Sequence, residues 1–324
     1  DSSTSRGLGD VYKRQQKASL FVAGLNQGGD VQANLVIQVD SRDQYDGDNN
    51  GVSESPYLDN QSITGAVSYD INYRTNLRLR VNHTRSEVFG GPVLGDTAQS
   101  IERAIESQSA GDSAQLFAAN NVKGRYIGKP WETTEWVYST RDEVIINLLH
   151  DFPSALNVTW SMAYIAHVQD SYYEGIDYYA DDLMRYTDMR FNYELSDQHF
   201  LTFGIDNRSE SMRSRSQALI DNPNYMADSF DYDVTGLYVQ DSWTPTDYFG
   251  LELALRLDRV RADFIDSRVS GDEIGETLLS PRLDMRFRHN DDWQSRLSIG
   301  RGYRAPLSFF ESDHGLLDLS LIYI

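Results

Sequence analysis

Apolar and polar residues alternate one by one along most of the chain from residue 18 onward. In the clearest run, Phe249, Leu251, Leu253, Leu255 and Leu257 are separated by Gly250, Glu252, Ala254, Arg256 and Asp258. Because successive side chains of a β-strand point to opposite faces of a sheet, this period predicts strands with one apolar and one charged face. Runs of this kind recur about twelve times and predict an all-β, antiparallel fold.

The connections between these runs alternate between short and long. Short connections lie at 26–30, 72–75, 151–154, 196–198, 244–247 and 289–292, and long ones at 41–61, 87–139, 169–183, 214–232 and 265–278. Outer-membrane β-barrels have short periplasmic turns at one end and longer extracellular loops at the other. The alternation therefore predicts an outer-membrane β-barrel, with a soluble all-β protein as the alternative.

The composition argues against several classes of function. The net charge of −20 argues against nucleic acid as a partner. The chain has no Cys, which excludes disulfides, thiol nucleophiles and Cys-based metal sites. Its six His form no His-x-x-x-His pair, and no Gly-x-Ser-x-Gly motif occurs, so the sequence does not predict an enzyme.

Four segments resemble TonB-dependent outer-membrane receptors in order and spacing. They are GLYVQDSW at 236–243, LALRLD at 253–258, SPRL at 280–283 and GRGYRAP at 300–306. The resemblance implies a barrel of about 22 strands that holds a plug domain. It also implies residence among the lipids of the cell outer membrane of a Gram-negative bacterium. The implied function is active uptake, energised by the TonB complex, of a scarce nutrient such as a metal chelate, with a ferric siderophore as the expected cargo.

The chain is short for that family. A barrel of 22 strands would need about 200–240 residues in strands alone, and long connections occupy much of this sequence. Neither a plug nor a coupling box is recognisable. We therefore expect 16–324 to form about twelve strands of a partial barrel, and 1–15 to be a non-native or disordered tail. A closed twelve-stranded porin or a barrel-embedded hydrolase is the alternative.

One predicted loop carries oxygen ligands at the spacing of a calcium site. Asp46, Asp48 and Asn50 follow one another at every second position, and Glu54 comes shortly after. This matches the opening of a calcium loop, although Tyr57 stands where an EF-hand has its bidentate glutamate. The loop is a candidate for calcium binding, with a solvated acidic turn as the alternative.

Arginines are frequent on the phase of the last strands that we predict to face the barrel interior. They are Arg256, Arg282, Arg286, Arg288, Arg296 and Arg304. Arginines that line a lumen attract anions, so we predict that Arg256 and Arg286 bind ligand. The alternative is a cross-strand ladder against Glu252, Asp258 and Asp284.

Aromatic residues are concentrated in three of the predicted long loops. We predict that Trp136, Tyr178 and Tyr179 stack on a planar or apolar ligand at the barrel mouth. The alternative is that they form an upper girdle of interfacial aromatic residues.

Overall fold

The computed structural model describes residues 15–47, 53–91, 93, 135–173, 176–215, 229–265, 273–305 and 307. They form one sheet of twelve strands in which each strand pairs with the next along the chain. Every pairing is antiparallel. The predicted strand number and topology are confirmed. None of the described residues belongs to a helix that is long and apolar enough to cross a membrane.

The strands are longer than the sequence predicted. They are β1 (Gln15–Leu25), β2 (Val31–Arg42), β3 (Tyr57–Asn72), β4 (Thr75–Gly90), β5 (Glu135–Asp151), β6 (Leu156–Tyr173), β7 (Ile176–Ser196), β8 (His199–Arg215), β9 (Phe230–Thr246), β10 (Phe249–Phe264), β11 (Glu273–Arg288) and β12 (Gln294–Gly300). The long loop predicted at 169–183 is wrong, because only residues 174–175 separate β6 from β7. The other long and short connections alternate as predicted, which defines a long-loop end and a short-turn end of the sheet.

The two faces of the sheet differ in polarity. We call the face that carries Leu253 and Leu255 the outer face, and the face that carries Glu252 and Arg256 the inner face. Leu253 and Leu255 are 50% and 45% exposed. The register continues this apolar band across the sheet through Val67, Leu79, Val144, Met162, Met189, Ile205, Val239 and Leu297. An exposed apolar band on one face is what a lipid-facing barrel wall requires.

The polarity is exchanged between the faces near the long-loop end. On β10, Val260 and Ala262 point inward and are buried, whereas Arg259 and Arg261 point outward and are exposed. The inner apolar cluster consists of Tyr178, Ala180, Met212, Phe230, Tyr232, Val234, Val260 and Ala262. The strands therefore extend beyond the lipid-facing band, and their upper parts have an apolar inner core and a polar outer surface.

Pro281 ends the pairing of β11 with β12. Proline has no backbone N–H to donate, and the register between the two strands stops at Arg282 and Gly300. The Pro281 carbonyl accepts a last hydrogen bond from the Arg301 amide, with an N···O distance of 3.0 Å. Beyond this point Ala305 packs against the inner apolar cluster. This geometry gives a structural role to the proline of the SPRL segment.

The sheet of described residues is open. β1 and β12 are its two edge strands, and within the described residues they do not pair with each other. The alternative of a closed twelve-stranded barrel is therefore wrong for this arrangement, because closure needs a ladder between the first and last strands.

Candidate functional site

Four neighbouring strands bring charged side chains together in the middle of the inner face. One row across β7, β8, β9 and β10 contains Asp188, Asp206, Gly236 and Asp258. The next row toward the short-turn end contains Arg190, Gly204, Tyr238 and Arg256. We call these eight residues the central network. The three aspartates are 3%, 6% and 1% exposed, so their charges need protein partners.

Arg256 is the main cation of the central network. Its Nη1 and Nη2 atoms lie 2.6 and 2.9 Å from the two carboxylate oxygens of Asp206. Its Nε donates to Asp258 Oδ2 at 3.0 Å, and its Nη2 lies 2.7 Å from Asp258 Oδ1. A guanidinium that binds two carboxylates in this way is strongly held. Arg256 therefore belongs to a cross-strand ladder of the kind considered as the alternative to ligand binding.

Two glycines make room for the network. A Cβ at Gly236 would overlap Nη2 of Arg256 and lie 2.6 Å from Asp258 Oδ1. A Cβ at Gly204 would lie 2.5 Å from the Tyr238 hydroxyl. Each glycine thus lets a long side chain cross over its strand to reach the next one. This explains why the GLYVQDSW segment begins with glycine.

Tyr238 links β9 to β7 across the intervening strand β8. Its hydroxyl donates to Asp188 Oδ1 at 2.7 Å, and Arg190 Nε donates to the Tyr238 oxygen at 3.4 Å. At the other end of the network, Tyr303, on the segment that follows β12, lies near Asp258. The segment that follows β12 therefore passes close to the network before Ala305 packs against the inner apolar cluster.

A second arginine cluster lies on the inner face nearer the short-turn end. Arg286 on β11 stands directly opposite Arg296 on β12. Both side chains are exposed, and within the described residues neither forms an ion pair. We call Arg286 and Arg296 the lower pair. They line a pocket of about 500 Å³ together with Ser242, Ser298 and the acidic residues Glu252 and Asp284.

The structure does not bring the three predicted aromatic ligand residues together. Trp136 lies on the outer face of β5, is 1% exposed, and donates its Nε1–H to Glu87 Oε1 at 3.1 Å. Burial raises the pKa of this Glu87 carboxyl. Tyr178 points inward from β7 and is 4% exposed, whereas the half-buried Tyr179 points outward. All three belong to strands, so their placement in loops was wrong. Whether they bind ligand is a separate prediction that the structure does not test.

An acidic group lies on the inner face of β7 above the lipid-facing band. Burial, followed by the nearby Glu210 carboxylate, raises the pKa of Asp182 to about 6. Its Oδ1 atom has no hydrogen-bond partner among the described residues. His167 stands opposite Asp182 on β6, and burial lowers the pKa of this imidazole. Asp182 is thus an acid without a matched cation, unlike the aspartates of the central network.

The predicted calcium loop lies partly outside the described residues, which exclude Asp48 and Asn50. Of its other members, Glu54 accepts a hydrogen bond from the Gly47 amide at 2.6 Å. No group of three or more acidic or His side chains in the described part of the chain is arranged to hold a metal ion. Calcium binding therefore stays a prediction.

Sequence reasoning missed several members of the central network. Asp188, Asp206 and Tyr238 were not predicted, although each lies on the polar phase of its strand. The signal that could have found them is the glycine in the middle of a polar phase. A glycine at such a position, as at Gly204 and Gly236, indicates that a long side chain from the adjacent strand passes over its backbone.

Sequence comparison identifies the family. Residues 4–313 match the family described as TonB dependent receptor-like, beta-barrel. The chain belongs to this family of outer-membrane transporters, which are not enzymes. Its cellular location is the outer membrane of Gram-negative bacteria. The inner face is therefore the lumen wall. A search of curated proteins finds no match to this sequence.

Solved receptors share the fold at low sequence identity. The ferripyoverdine receptor of Pseudomonas aeruginosa is similar with a TM-score of 0.62 and 13% identity over 86% of this chain and 39% of that one. The siderophore receptor PiuA of Acinetobacter baumannii gives 0.57 and 12% over 86% and 46%. The ferric citrate transporter FecA gives 0.62 and 10% over 88% and 41%. The chain thus spans 39–46% of the length of these three receptors.

Proposed function

We propose that the protein to which this chain belongs imports a scarce nutrient through the outer membrane with energy from the TonB complex, and that its cargo is a ferric siderophore. The observation that supports this most strongly is the family match over residues 4–313. The wall geometry agrees with it, because one face is apolar for lipid and the other carries the polar side chains that a water-filled lumen needs.

The choice of cargo is supported by the solved relatives. The three receptors described above are named for ferripyoverdine, a siderophore and ferric citrate, all of which are iron chelates. Anionic chelates are attracted by cations that line a lumen. Of the two arginines predicted to bind ligand, Arg256 is neutralised by Asp206 and Asp258, whereas Arg286 forms no ion pair with any residue that the structure describes. Arg286 is therefore the stronger candidate for contact with the cargo.

Radioactive iron uptake tests the proposal. Cells that express the whole protein, grown under iron limitation, should accumulate ⁵⁵Fe from a siderophore mixture, and disruption of TonB should abolish the accumulation. Cells without the gene, complemented with an unrelated outer-membrane porin, are the control. Uptake that persists without TonB would contradict active transport. Uptake of a different nutrient, such as a labelled vitamin or saccharide, with no iron accumulation would contradict the cargo.

A further inference from the structure

The outer face of β10 changes from apolar to basic within two residues. Leu257 is the last apolar residue of the lipid-facing band on this strand and is 43% exposed. Arg259 and Arg261 are the next two residues on the same face, and both are exposed. Cations that directly follow a lipid-facing surface lie where the charged head groups of lipids begin.

The upper edge of the lipid-facing band gives the tilt of the strands. The ladder connects Leu257 on β10, strand by strand, to Val31 on β2. The last apolar residue on the outer face of β2 is, however, Val39, eight residues further toward the long-loop end. Eight residues rise by about 27 Å, and the eight spacings between β2 and β10 amount to about 38 Å. The edge is therefore level when the strands tilt by about 35°, a value within the range of outer-membrane barrels.

This tilt fixes the height of the two arginines. From Phe249 to Leu257 the outer face of β10 extends over about 27 Å, which is a height of about 22 Å at this tilt. The apolar band of an outer-membrane barrel is about 25 Å tall. Arg259 and Arg261 therefore lie at the level of the lipid head groups. Because the long-loop end of such a barrel is extracellular, these are head groups of the outer leaflet.

The immediate neighbours of Arg259 are hydroxyl groups. Thr235 on β9 and Thr277 on β11 stand directly opposite it, and both are exposed. The row below consists of Leu257 and its partners on the same two strands, which are also leucines. The two outer-face rows nearest the lipid on β9, β10 and β11 thus contain no carboxylate.

The carboxylates near Arg261 lie beside it or on the side away from the lipid. Asp233 stands opposite Arg261 on β9, where its Oδ2 accepts a hydrogen bond from Asn207 at 3.2 Å. Asp263 follows two residues further toward the long-loop end. Among the residues that the structure describes, neither Arg259 nor Arg261 forms an ion pair. Both guanidinium groups are therefore exposed on the side that faces the membrane.

An apolar groove of about 500 Å³ lies on the outer face directly below Arg259. Leu257 and Leu237 line its upper part, and Leu237 is the residue that precedes Thr235 on the outer face of β9. Phe191 and Phe203 also line the groove, with their rings stacked at 5.1 Å between centroids. A cationic site above an apolar groove fits an amphiphile with a negative head and an apolar chain.

We propose that Arg259 and Arg261, with the Thr235 and Thr277 hydroxyls, bind a phosphate group on the head of an outer-leaflet lipid. The two arginines are two residues apart on one face, so their Cα atoms are about 7 Å apart and both guanidinium groups can reach one phosphate. Each can donate two parallel N–H groups to it. An acyl chain of the lipid then lies in the groove below. This site goes beyond the proposed uptake function, because it lies on the outside of the wall and does not depend on the cargo.

Native mass spectrometry of the purified whole protein in an uncharged detergent tests the site, with diphosphoryl lipid A as the probe. We expect the double variant Arg259→Gln/Arg261→Gln to bind it about tenfold or more weakly than the wild type. Arg259→Lys/Arg261→Lys should lose less affinity, because the charge remains without the planar fork. Lipid A without its phosphates keeps the acyl chains, and the wild type and the Gln double variant should bind it equally.

Arg78→Gln/Arg80→Gln is the matched control. These two arginines are also exposed and two residues apart on one strand, but they point to the inner face of β4. Their loss should change lipid A affinity by less than about twofold. Equal losses in the two Gln double variants would show a general attraction to the net charge and refute the site. Displacement of lipid A by an equal concentration of inorganic phosphate would assign the arginines to free phosphate and overturn the lipid proposal.

Thermal unfolding gives an independent measurement. Because both arginines are exposed, Arg259→Gln/Arg261→Gln without lipid should unfold within about 3 °C of the wild type. Lipid A should raise the unfolding temperature of the wild type and of Arg78→Gln/Arg80→Gln, but not that of Arg259→Gln/Arg261→Gln. An equal rise in all three proteins would contradict a phosphate site at Arg259 and Arg261.

Discussion

Two regions of the same lumen wall use arginine in opposite ways. In the central network, Arg256 binds Asp258 on its own strand and crosses over Gly236 to reach Asp206. In the lower pair, Arg286 faces another arginine across the sheet. The residue type and the face of the sheet are the same. What differs is the charge within reach, because Arg256 has Asp258 two residues further along β10 and Asp206 two strands away, whereas Arg286 has Arg296 opposite it.

Removal of the central cation should have the largest effect. Arg256→Gln leaves the buried Asp206 and Asp258 carboxylates without their partner, and because the Arg256 side chain is 37% exposed we expect a cost of about 3 kcal/mol, at the low end of the range for a buried pair. Urea unfolding in lipid vesicles, followed by Trp fluorescence, measures this cost. Arg286→Gln in anion-free buffer is the control and should change the unfolding free energy by less than about 0.5 kcal/mol. Equal costs for the two variants would remove the distinction between the regions.

The glycine beside each arginine provides the second comparison. Gly236→Ala puts a methyl group where the Arg256 guanidinium lies, so we expect a loss of about 2–3 kcal/mol. Gly250→Ala meets Arg286 only at ordinary contact distance and should cost less than about 0.5 kcal/mol. The same unfolding experiment measures both. A Gly236→Ala variant as stable as the wild type would show that Arg256 can move aside freely.

The Tyr238 hydroxyl is the third element to test. Tyr238→Phe removes the donor to Asp188 without changing the size of the ring, and we expect a loss of about 1.5–3 kcal/mol because the acceptor is charged. Tyr164→Phe on the exposed outer face is the control and should be nearly neutral. If both substitutions have the same small effect, Tyr238 is not part of the network's stability.

The pH dependence of Asp182 shows the result of burying an acid that forms no ion pair within the described residues. Its folded-state pKa of about 6 lies above that of the unfolded chain, so the folded state binds the proton more tightly. The stability of the wild type relative to Asp182→Asn should therefore decrease as pH rises from about 4 to about 6 and then stay level. Unfolding at several pH values measures it. Glu210, Arg208 and Arg141 also face this carboxyl, so Glu210→Gln should make the decrease smaller.

The lower and middle parts of the strands were predictable because their environment is periodic. Lipid lies on one side of the sheet and water on the other. The polarity of the residues of β10 from Phe249 to Asp258 therefore alternates with the face to which each side chain points. Near the long-loop end the alternation continues, but its polarity is exchanged, as at Arg259 and Val260. A prediction that assumes one apolar face along the whole strand therefore places the end of the strand too early, at the point where the polarity is exchanged. This is the reason why Trp136 and Tyr178 were assigned to loops.

The sequence by itself determined the fold class, the strand order and the two faces, because alternation and turn residues are local properties of the chain. Only the tertiary structure decided which charges meet. Asp206 and Arg256 are 50 residues apart in sequence, and their contact depends on the register of three strands and on the space above Gly236. The same register places Arg296 opposite Arg286. Asp206 and Arg256 lie on strands that are not neighbours in the sheet, so no local pattern in the sequence shows that these two charges meet.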